Sequence, residues 1–120
     1  MSRRRGPETQ LQIAVVQHLK LRGVKGLVFI HVPNGGSRSA AEGAVFKRMG
    51  VRAGASDLLL WHNDKSYALE LKAEGGRATV EQLGFLADID RAGAYTALAE
   101  GLDRALATLE AWGLIRPGVI

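Results

Sequence analysis

"GASDLLLWHNDKSYALELK", residues 54–72, is the stretch whose reading decides the fold. Leu58–Trp61 is an apolar run, His62–Lys65 a polar cluster, and Ser66–Lys72 alternates apolar residues with small or charged ones. Two such runs around a short polar break form the pattern of a β-hairpin that turns at Asn63-Asp64. Counting outwards from a two-residue turn sets Trp61 opposite Ser66, Leu60 opposite Tyr67, Leu58 opposite Leu69 and Asp57 opposite Glu70. A four-residue turn keeps that register, and a three-residue turn breaks it. Opposed residues project on one face with Cβ atoms roughly 4.5–5.5 Å apart. Lys72 shares the face of Glu70, because strand side chains alternate with period two. Two carboxylates and an ammonium therefore converge at one end of the hairpin. Like charges directly opposed destabilise a sheet, so the arrangement calls for a compensating cation: Lys72 or, more strongly, a divalent metal.

The chain of 120 residues is long enough for one domain with a single core. Its 47% hydrophobic and 23% charged residues are ordinary for a globular protein. With no cysteine, disulfides, thiolate catalysis and cysteine zinc sites are excluded, which fits an intracellular protein. The basic opening MSRRRG leads into polar PETQLQ where a signal peptide needs an apolar run. No stretch approaches the roughly 18 apolar residues of a membrane span. The expectation is a cytoplasmic protein with no membrane contact and no small-molecule cofactor. A net charge of +4 and a pI near 9.9 point to a polyanionic partner.

Residues 1–6 read as a disordered basic arm, 7–115 as the folded domain and 116–120 as a tail. Pro7 suits the first turn of a helix and Glu8 the positive end of its dipole. Leu11, Val15, His18, Leu19 and Arg22 follow helical spacing up to the stop at Gly23. Gly26–Val32 is an apolar strand ended by Pro33, and a short helical piece is predicted near Ala40–Met49. After the hairpin a helix runs from Thr79 to about Arg91, with Val80, Leu83, Leu86 and Ala87 facing inwards. Ala94–Ala99 reads as a short strand, and Leu102, Leu106, Leu109 and Trp112 mark a last amphipathic helix. The order α-β-α-β-β-α-β-α predicts an α/β domain, a mixed sheet flanked by helices.

The spacing Asp57-x12-Glu70-x-Lys72 matches the logic of metal-assisted phosphodiester hydrolysis. Carboxylates are hard oxygen ligands that hold Mg²⁺ or Mn²⁺. The metal acidifies the attacking water and offsets charge in the transition state. A lysine can position that water or stabilise the developing charge. The competing reading, a surface Glu70–Lys72 pair, is worth about 0–1 kcal/mol and leaves Asp57 in register unexplained.

From Glu8 to about Leu109 the chain resembles the virus-type replication-repair nuclease (VRR-NUC) domain of the PD-(D/E)XK superfamily. The segments that carry the resemblance are "HVPNGG" at 31–36, "GVRAGASDLLL" at 50–60, "ALELKAEGGRATVEQ" at 68–82 and a closing helix after "GAYTALAE". The resemblance implies a restriction-endonuclease-like fold and a Mg²⁺- or Mn²⁺-dependent endodeoxyribonuclease. It makes Asp57 and Glu70 metal ligands, Lys72 the catalytic lysine and Glu8 the acid that completes the metal site. Gln82 resembles the glutamine that follows the catalytic strand. Stand-alone members look like phage and bacterial enzymes that resolve four-way (Holliday) junctions as homodimers. Ser56 departs from the pattern, standing where the family usually has proline.

Other readings of these residues stay open. Thr79-Val-Glu-Gln82 is a good capping box, which explains Gln82 as well as a role beside substrate or water does. Glu8 could serve the helix dipole alone. Asn34-Gly35-Gly36-Ser37-Arg38 is either an ordinary loop or a seat for a phosphate backbone. Arg52 and Arg77, with Arg3, Arg4, Arg5, Lys47 and Arg48, flank the site in sequence as a DNA-facing or merely solvated charged surface. His18, His31 and His62 have no ligand spacing and are assigned to no metal. Rival functions are a non-catalytic DNA-binding module, which the intact acid-x-lysine set disfavours, and a duplex- or flap-specific nuclease. A homodimer is also suggested by apolar helix residues, Val16, Leu86 and Trp112, that one small core does not obviously cover.

Overall fold

The computed structural model describes residues 6–33 and 39–118. Eight elements follow in the expected order: α1 (Pro7–Arg22), β1 (Val28–His31), α2 (Ala40–Arg48), β2 (Leu58–His62), β3 (Lys65–Lys72), α3 (Val80–Arg91), β4 (Tyr95–Glu100) and α4 (Leu102–Ala111). Residues 1–5 of the basic arm, the segment 34–38 and the last two residues of the tail lie outside the described residues.

One mixed sheet has the order β1-β2-β3-β4. Strands β1, β2 and β3 pair antiparallel, and β4 lies parallel to β3 after the α3 crossover. The β2–β3 hairpin has the register expected from its sequence, with Leu58 paired to Leu69, Leu60 to Tyr67, Trp61 to Ser66 and His62 to Lys65. Asn63 and Asp64 both adopt positive φ, 49° and 63°. A two-residue turn whose twist matches the strands requires that at both positions, and Asn and Asp tolerate it better than most residues.

The core lies on one face of the sheet. Leu58, Leu60, Tyr67, Leu69, Leu71 and Ala99 pack there against Leu11, Val15 and Leu19 of α1 and Ala105 and Leu109 of α4. Leu114 and Ile115 close its end. On the other face, Ile89 of α3 meets Leu59 and Trp61 of β2 around a pocket of about 250 Å³.

Two expectations about apolar surface need correcting. In α3, Val80 is 82% exposed and Leu83 is also exposed, while Leu86 is buried; Ala87 is exposed as well. The first turn of α3 lies against Gly54, and the inward stripe becomes the buried Leu86 with the half-buried Gln82, Phe85 and Ile89. A Cβ on Gly54 would stand 2.4 Å from the carbonyl of Glu81, and its φ is +83°, so only glycine fits that contact. Val16, Leu86 and Trp112 are not spare surface either. Val16 and Trp112 pack against the chain's own core, with Trp112 tilted against Tyr67 at 5.1 Å between ring centroids.

Candidate active site

Asp57 stands where the β2–β3 ladder ends. Its pairing with Glu70 is not a backbone pairing, because the last paired residues are Leu58 and Leu69. The contact is made by side chains. Beyond Leu69 the β3 backbone has no β2 residue opposite, and Asp57 Oδ2 accepts the Leu71 N–H at 2.8 Å in its place. On the other side of Asp57, its carbonyl accepts the Val32 N–H at 3.0 Å and lies 2.8 Å from His31 Nδ1. The backbone of Asp57 is thus tied to β1 and its carboxylate to β3.

Glu70 and Lys72 alternate with the core residues Leu69 and Leu71 and project from the opposite face. Both are buried. The Glu70 carboxyl is pushed up from 4.5 to about 9, first by burial, then by its hydrogen bond with Asp57 and the repulsion of that carboxylate. Lys72 opposes the shift and Glu8 adds to it. Glu70 therefore holds its proton beside the Asp57 carboxylate, the usual outcome when two acids crowd one poorly solvated place. Glu70 Oε2 is buried and has no hydrogen-bond partner among the described residues.

Glu8, in the first turn of α1, reaches the same end of β3. Its Oε1 lies 3.7 Å from Lys72 Nζ, so the four residues that the sequence singled out come together although 64 positions separate the outermost pair. Among the described residues, no three His, Asp or Glu side chains surround a common point. The donor set is therefore a carboxyl pair, with the third acid held on the lysine. A buried, unpartnered carboxyl oxygen beside a second carboxylate fits a hard divalent cation, which would take the place of the Glu70 proton.

The flanking residues divide. Gln82 forms the capping box of α3: its Oε1 accepts the Thr79 N–H at 2.8 Å, and Thr79 Oγ1 accepts the Gln82 N–H at 3.1 Å. Arg52 is engaged with α3, pairing with Asp88 at 2.6 Å and lying 5.2 Å over the Phe85 ring. That hydrogen bond holds the Asp88 carboxyl below its ordinary range. Arg77 is exposed in the turn after β3, and Lys47 and Arg48 are exposed on α2. Asn34, Ser37 and Arg38 lie outside the described residues. His31 and His62 bond backbone carbonyls, and His18 sits beside Arg22. Gln12, with both polar atoms buried, escaped the sequence reading, and Ser56, noted there only as standing in place of proline, has a buried hydroxyl without a partner among the described residues. For Gln12, its position one turn after Glu8 is the one signal in the sequence that hints at it.

A sheet whose antiparallel hairpin carries an acid at its entry and an acid-x-lysine at its exit is the frame of the restriction-endonuclease-like α/β class. A solved structure titled "VRR_NUC domain protein" is similar over 92% of this chain and 90% of that one, with a TM-score of 0.73 and 25% sequence identity. The fold is that of the VRR-NUC domain. No protein-family model and no curated protein matches the sequence.

Proposed function

We propose that the protein is a metal-dependent endonuclease that hydrolyses DNA phosphodiesters. The observation that carries this reading is the meeting of the Asp57 and Glu70 carboxyl groups beside Lys72, on a fold shared with a nuclease domain. Asp57 and Glu70, completed by Glu8, would hold Mg²⁺ or Mn²⁺. When bound, the cation would acidify the attacking water and neutralise charge on the scissile phosphate.

The remaining chemistry falls to the chain itself. Asp57 is held in place by the Leu71 amide, so one of its oxygens is oriented before any ligand arrives. Lys72, buried and anchored by its ion pair to Glu8, delivers an ammonium to the water or to the charge that develops on the phosphate. Gln82 has its oxygen committed to the cap and serves substrate or water through its amide nitrogen. Asn34, Ser37, Arg38, Arg52 and Arg77 contact the phosphate backbone, and the net positive charge of the chain steers DNA toward them.

The substrate in this reading is branched DNA, resolved in the cytoplasm of a bacterial or phage-infected cell. A four-way junction has paired scissile phosphates, and a two-fold homodimer presents paired sites. The apolar surface available for such a dimer is not the one expected from the sequence: Val28, Ile30 and Trp61 are exposed on neighbouring positions of β1 and β2. Among the described residues no helix is long and apolar enough to cross a membrane.

Labelled duplex, flap, splayed-arm and four-way DNA, incubated with Mg²⁺ and with Mn²⁺, test the reading. It expects cleavage with metal and preference for the four-way substrate. Preference for duplex or flap would leave the nuclease standing and remove the resolvase. Binding without cleavage of any substrate would make the protein a DNA-binding module.

A further inference from the structure

Both polar atoms of the Gln12 side chain, Oε1 and Nε2, are shut off from solvent without a hydrogen-bond partner among the described residues. A buried amide in that state is destabilising, and an apolar side chain of the same length would avoid the cost. Gln12 follows Glu8 by one turn of α1, and residues four apart stack on one side of a helix. Helical side chains also lean toward the N-terminus, so the Gln12 amide lies over the turn that carries Glu8. The Glu8 carboxylate in turn lies 3.7 Å from Lys72 Nζ, beyond an ordinary hydrogen bond. Glu70 Oε2, two residues before Lys72 on β3, is another buried oxygen without a partner among the described residues, as is the Ser56 hydroxyl beside Asp57. The Glu8–Lys72 contact thus ties the turn of α1 that precedes Gln12 to the end of β3, where Glu70 Oε2 is also unmet.

We infer that Gln12 is a positioning residue of the site. Its amide oxygen accepts from the Lys72 ammonium through one water, and its amide nitrogen is turned toward the Glu8 carboxylate. Gln12 thereby holds Glu8 and Lys72 in the arrangement that receives a divalent cation. The inference rests on the nuclease reading above and adds to it a residue outside the acid-x-lysine set.

Gln12→Met, which keeps the length and removes the amide, is the test. Thermal melts are run in chelator and across a Ca²⁺ titration, beside single-turnover cleavage in Mg²⁺. In chelator the variant should melt at or above the wild-type temperature. Its Ca²⁺ midpoint should rise, and its cleavage rate fall, by about tenfold or more, the range in which partners behind metal ligands act. A wild-type Ca²⁺ midpoint and rate would show that the amide does nothing at the site. A marked loss of stability in chelator would make it a structural hydrogen-bonding group and overturn the assignment equally. If the wild type itself shows no metal-dependent rise and no cleavage, the nuclease reading falls first and the role of Gln12 falls with it. A wild type that responds beside a variant that responds equally removes Gln12 alone.

Discussion

Asp57 Oδ2 accepts the backbone N–H of Leu71 at 2.8 Å, a side chain completing a ladder that the β2 backbone has left. The same carboxylate hydrogen-bonds the Glu70 carboxyl. One residue thus terminates the hairpin and builds half of the acidic pair.

These two tasks separate by mutation. Asp57→Asn keeps an oxygen for the Leu71 amide and turns the other position into a donor toward Glu70, so in chelator it should be as stable as the wild type or more so. Asp57→Ala leaves the Leu71 N–H without its acceptor and should lose about 1–3 kcal/mol. Both should lose the stabilisation that metal gives to the folded state alone, RT ln(1 + [L]/Kd). Urea or thermal unfolding with chelator and with millimolar Ca²⁺ measures all of it. A full metal-dependent rise in Asp57→Asn would remove Asp57 from the ligands.

The raised Glu70 carboxyl sets a pH dependence with a definite sign. Folded Glu70 keeps a proton up to about pH 9, whereas its ordinary value is 4.5. Between these values the folded state binds more protons than the unfolded one, so metal-free stability should fall as pH rises. That contribution is fully present below 4.5 and lost through about 9. Glu70→Gln should flatten the slope across this window. Metal must displace the proton, so Ca²⁺ affinity should increase with pH over the same range. Melts in chelator from pH 5 to 9 decide the matter, and a wild type whose stability rises with pH there, more than in Glu70→Gln, would contradict the protonated Glu70.

Gln82 can be divided between cap and chemistry. Gln82→Glu preserves an acceptor for the Thr79 amide, since Glu and Gln serve equally at that position, but removes the amide nitrogen. Its melting temperature should stay near that of the wild type while cleavage falls about tenfold or more, the scale of a lost positioning contact. Thr79→Ala, by contrast, should cost about 1 kcal/mol and leave the rate largely intact. Unchanged cleavage in Gln82→Glu would reduce Gln82 to a cap.

Much of this was legible in the sequence, for physical reasons. The hairpin register followed from a polar break of even length between two apolar runs, and the positive φ of Asn63 and Asp64 is what that dipeptide tolerates. From the register came the nearness of Asp57, Glu70 and Lys72. The α3 face was not legible, because its apolar residues form two overlapping stripes. The contact that chooses between them, Gly54 against Glu81, joins segments 27 positions apart. Nor could patterning show that Asp57 meets Glu70 through side chains, or that Arg52 is held by Asp88 and Phe85. The burial of Gln12 depends on how α1 tilts over the end of β3, which helical spacing leaves open.

The most direct measurement compares wild-type protein and Lys72→Ala on a labelled four-way junction, scoring binding without metal and cleavage with Mg²⁺ in the same preparation. Binding should survive the substitution, because affinity is spread over many phosphate contacts and falls with salt at a slope of about −0.9 per contact. Cleavage should be abolished, because the ammonium that Glu8 holds at 3.7 Å is gone from the acidic pair. Cleavage by Lys72→Ala at the wild-type rate would contradict the site described above.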